Sequence, residues 1–88
     1  FLDLEDIEPE LKKHQLLILK REPNNEYDNN AILILTEDGR KLGYVPQEKN
    51  EVLSNLMDAG KLLFGRLNEK TWVDDWLKLD VQVYLRDL

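Results

Sequence analysis

Residues 15–36 read QLLILKR EPNNEYDNN AILILT, two short apolar segments on either side of a polar stretch. The first segment is too short for a stable helix and is closed by Pro23, which favours a strand. The nine polar residues are rich in Pro, Asn and Asp, the residues typical of turns. The second segment, Ala31 to Thr36, is apolar on both faces, so the pattern predicts an internal strand.

The sequence after this stretch predicts a returning strand and then a helix. Residues 37–39 form a tight-turn signal, residues 40–45 predict the returning strand, and Pro46 ends it. Asn50 is expected to cap the helix, and Gly60 is expected at the position after its end. Helical spacing then predicts a core-facing stripe, which consists of Val52, Leu53, Leu56 and Met57.

The C-terminal third returns to extended structure. Residues 61–67 predict a strand, and residues 73–75 predict a hairpin tip between Trp72 and Trp76. In residues 77–85 apolar side chains alternate with polar and aromatic ones, the period of a strand. The fold class is therefore mostly β with one α-helix, a small antiparallel β-barrel formed by a single domain over residues 1–88.

The composition excludes several classes of function. The 88 residues contain no cysteine, one histidine (His14) and one serine (Ser54), and the four glycines form no phosphate loop. We therefore expect a binding domain rather than an enzyme, with no catalytic residue, metal or cofactor. No apolar run is long enough to cross a membrane and no signal peptide is visible, so we expect a cytoplasmic protein. The net charge of −6 restricts any nucleic-acid contact to a local patch.

Three segments resemble the HIRAN domain in order and in spacing. They are LKREPNNEYDNNAILI at residues 19–34, GRKLGYVP at residues 39–46, and the helix that runs from Asn50 to an Ala-Gly pair at Gly60. Residues 61–88 fit the final strands of that family by pattern only. The family also has an N-terminal strand with a basic residue and paired aromatics, where this chain has only Phe1 and Leu2. We expect that strand to be missing or to lie upstream.

The resemblance implies a nucleic-acid-binding barrel of HIRAN type. HIRAN domains occur as stand-alone bacterial proteins and fused to Swi/Snf-type helicases that remodel stalled replication forks, so the implied partners are single-stranded DNA and a helicase. The characterised fused domain captures the 3′ end of single-stranded DNA: an aromatic ring stacks on the terminal base and an Asp bonds the terminal hydroxyl. Carried over by position, the DNA-binding residues of this OB-like barrel are Asn25, Tyr27 and Asp28 in the loop and Tyr44 on the next strand. Lys41, Lys20 and Arg21 are expected to hold nearby phosphates.

Each of these residues also has a plain structural interpretation. Asn25 and Asp28 are typical of a capped turn, and Tyr27 and Tyr44 are typical of rings that pack at the rim of a barrel. The alternative function is therefore a protein-interaction or regulatory module that kept the barrel and lost the DNA pocket. An enzyme that uses unpaired carboxylates is the third and weakest alternative.

Overall fold

The computed structural model describes residues 4–86 of the chain. The expectation that concerns Phe1 and Leu2 therefore lies outside the described residues. The N-terminal segment contains a short helix and one turn of 3-10 helix at Glu8–Glu10, with Pro9 in its first turn. The main elements, in chain order, are α1 (Leu4–Ile7), β1 (Leu16–Arg21), β2 (Ile32–Thr36), β3 (Lys41–Tyr44), α2 (Gln47–Asp58), β4 (Leu62–Val73) and β5 (Trp76–Arg86).

The five strands form one antiparallel sheet in the order β3-β2-β1-β4-β5. The strands β3 and β5 occupy opposite edges of the sheet, yet Leu42 of β3 packs against a cluster that contains Leu77 of β5. This contact shows that the sheet curls strongly. The prediction of a mostly antiparallel β-structure with one main helix is thus confirmed. Within residues 4–86 the sheet is a half-barrel, and β3 and β5 remain its edges.

The core fills the concave side of the half-barrel in two clusters. At one end, Ile7 and Leu11 of the N-terminal segment cover Leu17 and Leu67 of the sheet. At the other end, the helix α2 covers a second cluster through Leu53 and Met57, and the buried members of that cluster are Leu19, Ile32 and Val45. An ion pair between Lys70 and Glu8, 2.8 Å long, fastens the N-terminal segment to β4.

The helix α2 begins earlier than the sequence suggests, so the prediction of Asn50 as its N-cap is wrong. The cap position is Pro46, whose carbonyl accepts the backbone N–H groups of Lys49 and Asn50. Asn50 lies within the helix and is only 3% exposed. The C-terminal end is as predicted: Gly60 has a φ of +91°, and its N–H donates to the carbonyl of Met57.

The predicted apolar stripe of α2 is only half correct. Leu53 and Met57 pack on the core, but Val52 is 67% exposed and Leu56 is also exposed. Asn50 and Ser54 are buried instead, so the buried face of the helix is partly polar. The buried Asn50 has a specific partner in the loop between β1 and β2, which is described below.

The β4–β5 hairpin extends beyond the rest of the sheet. Its two-residue tip is Asp74–Asp75, where Asp74 adopts a positive φ of 55°, and the predicted hairpin is confirmed. Trp72 and Trp76 lie at this tip and are both exposed. In the described part of the chain, every helix is too short or too polar to cross a bilayer.

The alternation along β1 gives a direct test of the sheet's orientation. Leu17 is 0% exposed, whereas its neighbour Ile18 points to the opposite face and is 39% exposed. We expect Leu17→Ala to lower the free energy of unfolding by about 2–5 kcal/mol, because it leaves a cavity in the core. Ile18→Ala should lower it by far less. Urea denaturation of both variants measures the difference, and equal losses would contradict the assignment of the two faces.

Candidate functional site

The loop between β1 and β2, residues 22–31, is held in one shape by its own hydrogen bonds. The N–H of Glu22 donates to the carbonyl of Ala31 over 3.0 Å and closes the base of the loop. The side-chain oxygen of Asn25 accepts the backbone N–H groups of Tyr27 at 2.9 Å and Asp28 at 3.1 Å. Asn25 therefore caps the turn that presents Tyr27 and Asp28, which is the structural role that its residue type predicts.

Arg21 clamps this loop to the helix. Its guanidinium donates to the carbonyl oxygens of Ala31 (2.7 Å) and Asn29 (3.0 Å). It also donates through two nitrogens to the carboxylate of Asp58 in the last turn of α2, at 2.9 and 3.2 Å. This fork of donors is characteristic of arginine and is not available to lysine. Arg21 thus positions the loop, and its predicted contact with phosphate stays a prediction.

Asp28 is fixed from both sides by hydrogen-bond donors. One carboxylate oxygen accepts the N–H of Asn30 at 2.9 Å, and the other accepts the side-chain amide of Asn50 at 2.7 Å. These donors, first the Asn30 N–H and then Asn50, hold the pKa of the Asp28 carboxyl below its usual value. Asp28 is therefore an anion at neutral pH, with its orientation set by the helix.

Tyr44 and Glu22 form a second fixed pair beside the loop. The phenol of Tyr44 donates to Glu22 at 2.7 Å, which lowers the pKa of Glu22 and raises the pKa of Tyr44. The charges of Lys41 and Lys20 lower the pKa of Glu22 further. Tyr44 is half-exposed, and its ring is held in place by this bond.

A small open cavity lies between the loop, the end of β3 and the start of α2. Its volume is about 200 Å³, below the roughly 300–1,000 Å³ typical of sites for drug-sized ligands. The cavity therefore suits one terminal group of a chain better than a whole small molecule. Tyr27, which is 86% exposed, stands at its rim. The lining residues are Asn25, Tyr27, Asp28, Ala31, Tyr44, Val45, Gln47 and Asn50.

The structure brings together four of the predicted site residues in this cavity: Asn25, Tyr27, Asp28 and Tyr44. Lys20 and Lys41 lie outside it on exposed strand positions, and Arg21 lies beneath the loop. Sequence reasoning missed Gln47 and Asn50 of the helix. The available signal for Asn50 was its polar side chain at a buried position of α2. A buried amide needs a hydrogen-bond partner, so such a residue indicates a contact with another element. No group of side chains suited to a metal ion occurs among residues 4–86.

The fold and the β1–β2 loop together define a small β-domain with a preformed cavity beside Asp28. Comparison with known proteins identifies the family of this domain. Residues 5–86 match the HIRAN domain family, so the chain belongs to the HIRAN family. A solved structure from Lactobacillus plantarum superposes with a TM-score of 0.75 at 30% identity, covering 88% of this chain and 73% of the other. The crystal structure of the HIRAN domain of human HLTF gives a TM-score of 0.63 at 28% identity, covering 67% of this chain and 50% of the other.

Curated relatives are much longer than this chain. Human helicase-like transcription factor is 33% identical over 67 residues, which are 69% of this chain and 7% of that protein. The Fanconi-associated nuclease 1 homolog of Arabidopsis thaliana is 40% identical over 48 residues, which are 54% of this chain and 5% of that protein. The chain therefore spans less than a tenth of these relatives. Membership in the HIRAN family indicates a DNA-binding, repair-related module.

The clamp predicts that arginine is required at position 21. Arg21→Lys keeps the positive charge, but its three donors sit on one nitrogen and cannot replace the four hydrogen bonds that the three guanidinium nitrogens make to two carbonyls and both oxygens of a carboxylate. We expect faster hydrogen exchange at the amide of Ala31 and throughout residues 25–30. Lys20→Arg, at the adjacent exposed position, is the matched control and should leave exchange unchanged. Unchanged protection in Arg21→Lys would contradict the clamp.

The hydrogen bonds of Asp28 predict a pH-dependent contribution to stability. Because the folded pKa of Asp28 is lowered, its contribution is fully present above about pH 4 and is lost as pH falls through the folded pKa. Asp28→Asn should lower the melting temperature at pH 7, since an amide cannot accept both donors, and the gap should close below pH 4. Glu26→Gln, in the same loop, serves as control. A gap of constant size across this range would contradict the assignment.

Proposed function

We propose that this domain binds the 3′ end of single-stranded DNA, with the terminal nucleotide in the cavity beside Asp28. The observation that supports the proposal is the meeting of one oriented carboxylate and two tyrosines in a cavity of about 200 Å³. Family membership supports a DNA ligand. The specificity for a 3′ end is what the resemblance to the HIRAN domain implies, and the carboxylate of Asp28 gives it a chemical basis.

The carboxylate of Asp28 distinguishes a free hydroxyl from a phosphate. Each of its oxygens accepts one protein donor and retains a further lone pair for a ligand. A terminal 3′-hydroxyl donates to such an oxygen, whereas a 3′-phosphate is repelled by its charge. An internal nucleotide carries a phosphodiester at the same position and is rejected for the same reason.

The tyrosines supply contact that is independent of sequence. An exposed ring such as Tyr27 stacks on any base, and such stacking contributes roughly 1–3 kcal/mol per base. Tyr44, held by Glu22, forms the opposite side of the cavity. The two rings enter the cavity from different elements, the loop and β3. Because the ring of Tyr27 is exposed, a base can reach it from the solvent side.

Phosphates close to the terminal nucleotide would meet Lys20 and Lys41. Both lysines are exposed, and the charge of each lowers the pKa of Glu22. The domain has a net charge of −6, so these local cations must outweigh the general repulsion of the chain. We therefore expect binding that weakens steeply as salt concentration rises.

The proposed setting is DNA repair or replication, with the domain acting beside a helicase as a binding module rather than an enzyme. The relatives named helicase-like transcription factor support this setting. The region that they share with this chain is a small part of each relative. The inventory of one histidine and one serine supports the absence of catalysis. Cytoplasmic location stays a prediction.

Fluorescence anisotropy with short labelled single strands tests the proposal. One strand ends in a 3′-hydroxyl and the other in a 3′-phosphate, and both are titrated at low and moderate salt. We expect tighter binding of the free hydroxyl, loss of that preference in Asp28→Ala, and a loss of roughly 1–3 kcal/mol of binding energy in Tyr27→Ala.

Glu26→Ala is the matched control for this experiment. It removes an equal charge from the same loop, but Glu26 does not line the cavity. Its preference for the hydroxyl should equal that of the wild type. Equal affinity of the wild type for both strands would overturn end recognition, and a preference retained in Asp28→Ala would place the recognition elsewhere.

A protein-interaction module remains the second candidate, favoured by the β4–β5 hairpin tip. Trp72, Val73 and Trp76 are all exposed there, an unusual concentration of apolar surface for a small domain. A partner held by this tip would bind with little dependence on salt. Retained partner binding in Asp28→Ala and its loss in Trp76→Ser would favour this candidate.

A further inference from the structure

The convex face of the sheet carries a second surface, which we call the outer sheet face. Residues paired across antiparallel strands point to the same side, so the strand registers define its members. It lies opposite the core and outside the cavity beside Asp28, apart from Tyr44. Its members are Leu16, Ile18, Lys20, Leu35, Lys41, Tyr44, Leu62, Phe64, Arg66, Gln82, Tyr84 and Arg86; Leu33 occupies the same side but is buried.

The charge of this face is opposite to that of the whole chain. Its four charged residues are all cations, Lys20, Lys41, Arg66 and Arg86, and none of its positions holds an acid. The chain has 12 basic and 18 acidic residues, so the remainder carries eight cations against eighteen acids, a net charge of −10. Three acids border the face: Glu22, which follows β1 and accepts the phenol of Tyr44, and the cross-strand pair Glu69 and Asp80, farther along β4 and β5. Such separation points to an anionic occupant.

The centre of the face is an aromatic platform. Phe64 and Tyr84 are cross-strand neighbours with ring centroids 5.4 Å apart and planes inclined by 17°. The guanidinium of Arg66 lies 5.7 Å from the centre of the Phe64 ring, and the phenol of Tyr84 donates to Gln82 at 2.8 Å. The rings are therefore held in place, while Tyr84 is half-exposed.

An open groove of about 490 Å³ runs beside the platform. Exposed Ile18 and Leu62 form part of its wall, and Arg66 and Arg86 also line it. Flat apolar surface interleaved with cations matches a ligand that combines planar rings with a phosphate backbone. Single-stranded nucleic acid has this composition, because its bases stack on aromatic rings and its phosphates pair with basic side chains.

We propose that the outer sheet face binds the body of a single strand of nucleic acid, independently of any chain end. The face and the cavity are continuous, since Tyr44 belongs to both, and Lys20 on β1 lies between the strand that carries Tyr44 and the strands that carry the platform. Five strands at a spacing of about 4.8 Å make the face roughly 19 Å wide, enough for several nucleotides. This inference rests on the proposed function for the class of ligand, but it concerns different residues.

A covalently closed deoxythymidine circle separates the two surfaces, because a circle has no 3′ end to enter the cavity. We expect the wild type to bind the circle at low salt, with Asp28→Ala binding it as well as the wild type does. Arg86→Glu and Tyr84→Ser should each weaken binding of the circle by roughly tenfold. Lys12→Glu, an equal charge change at an exposed position before β1, is the matched control and should have a far smaller effect.

A linear strand with a 3′-hydroxyl and an abasic circle of equal length complete the experiment. Arg86→Glu should keep the preference of the linear strand for a hydroxyl over a phosphate. The abasic circle should bind roughly tenfold more weakly than the deoxythymidine circle, because it offers no bases to stack.

Three outcomes would overturn the inference. If the circle does not bind while the linear 3′-hydroxyl strand does, the inference about the outer sheet face is overturned and the end-binding proposal is left intact. Equal binding of abasic and deoxythymidine circles would reduce the face to a general anion-binding surface, such as one for anionic lipid vesicles. Concentration-dependent self-association that is lost in Arg86→Glu, without any binding of the circle, would assign the face to a second copy of the chain. Melting curves of Arg86→Glu and Tyr84→Ser establish that both variants are folded.

Discussion

The guanidinium of Arg21 is the interaction on which the candidate site depends. The ten residues of the loop, 22–31, leave the sheet at β1 and return at β2, and several of their backbone groups are bonded within the loop itself. Arg21 satisfies two of the loop carbonyls and at the same time joins the loop to Asp58 of α2. The bond between Asp28 and Asn50 makes a second connection between the same two elements. The strand β1, the loop and α2 therefore form one connected unit, and the side chain of Asp28 is held rigidly within it.

Strand positions followed from the sequence because each strand carries its own local signal. The alternation over residues 77–85, and the apolar segments that flank residues 22–30, correspond to β5, β1 and β2 in the structure. The order of the strands and the curl of the sheet depend on contacts between distant residues, such as Leu42 with Leu77, which no local pattern contains. The resemblance to the HIRAN family supplied the overall architecture.

The helix α2 shows where local reasoning fails. An Asn before an apolar run is a sound signal for an N-cap, but Pro46 begins the helix and Asn50 serves the loop instead. The buried side of α2 therefore includes Asn50 and Ser54, whereas Val52 and Leu56 are exposed. The loop residues Asn25, Tyr27 and Asp28 came from the family motif, whereas Gln47 and Asn50 completed the cavity only when the helix was placed against it. A site assembled from a loop and a helix is invisible to any rule that considers one segment at a time.

The uneven distribution of charge between the outer sheet face and the rest of the chain gives the domain an electric dipole moment. A body of this kind experiences a torque in the field of a polyanion, so it turns its basic side forward before contact while its acidic side is pushed away. Encounters are thereby biased towards one orientation in spite of net repulsion. Added salt shortens the range of this torque to about 10 Å or less, and the domain then tumbles freely until it touches its target. Net charge alone is thus a poor guide to which molecules this domain meets productively.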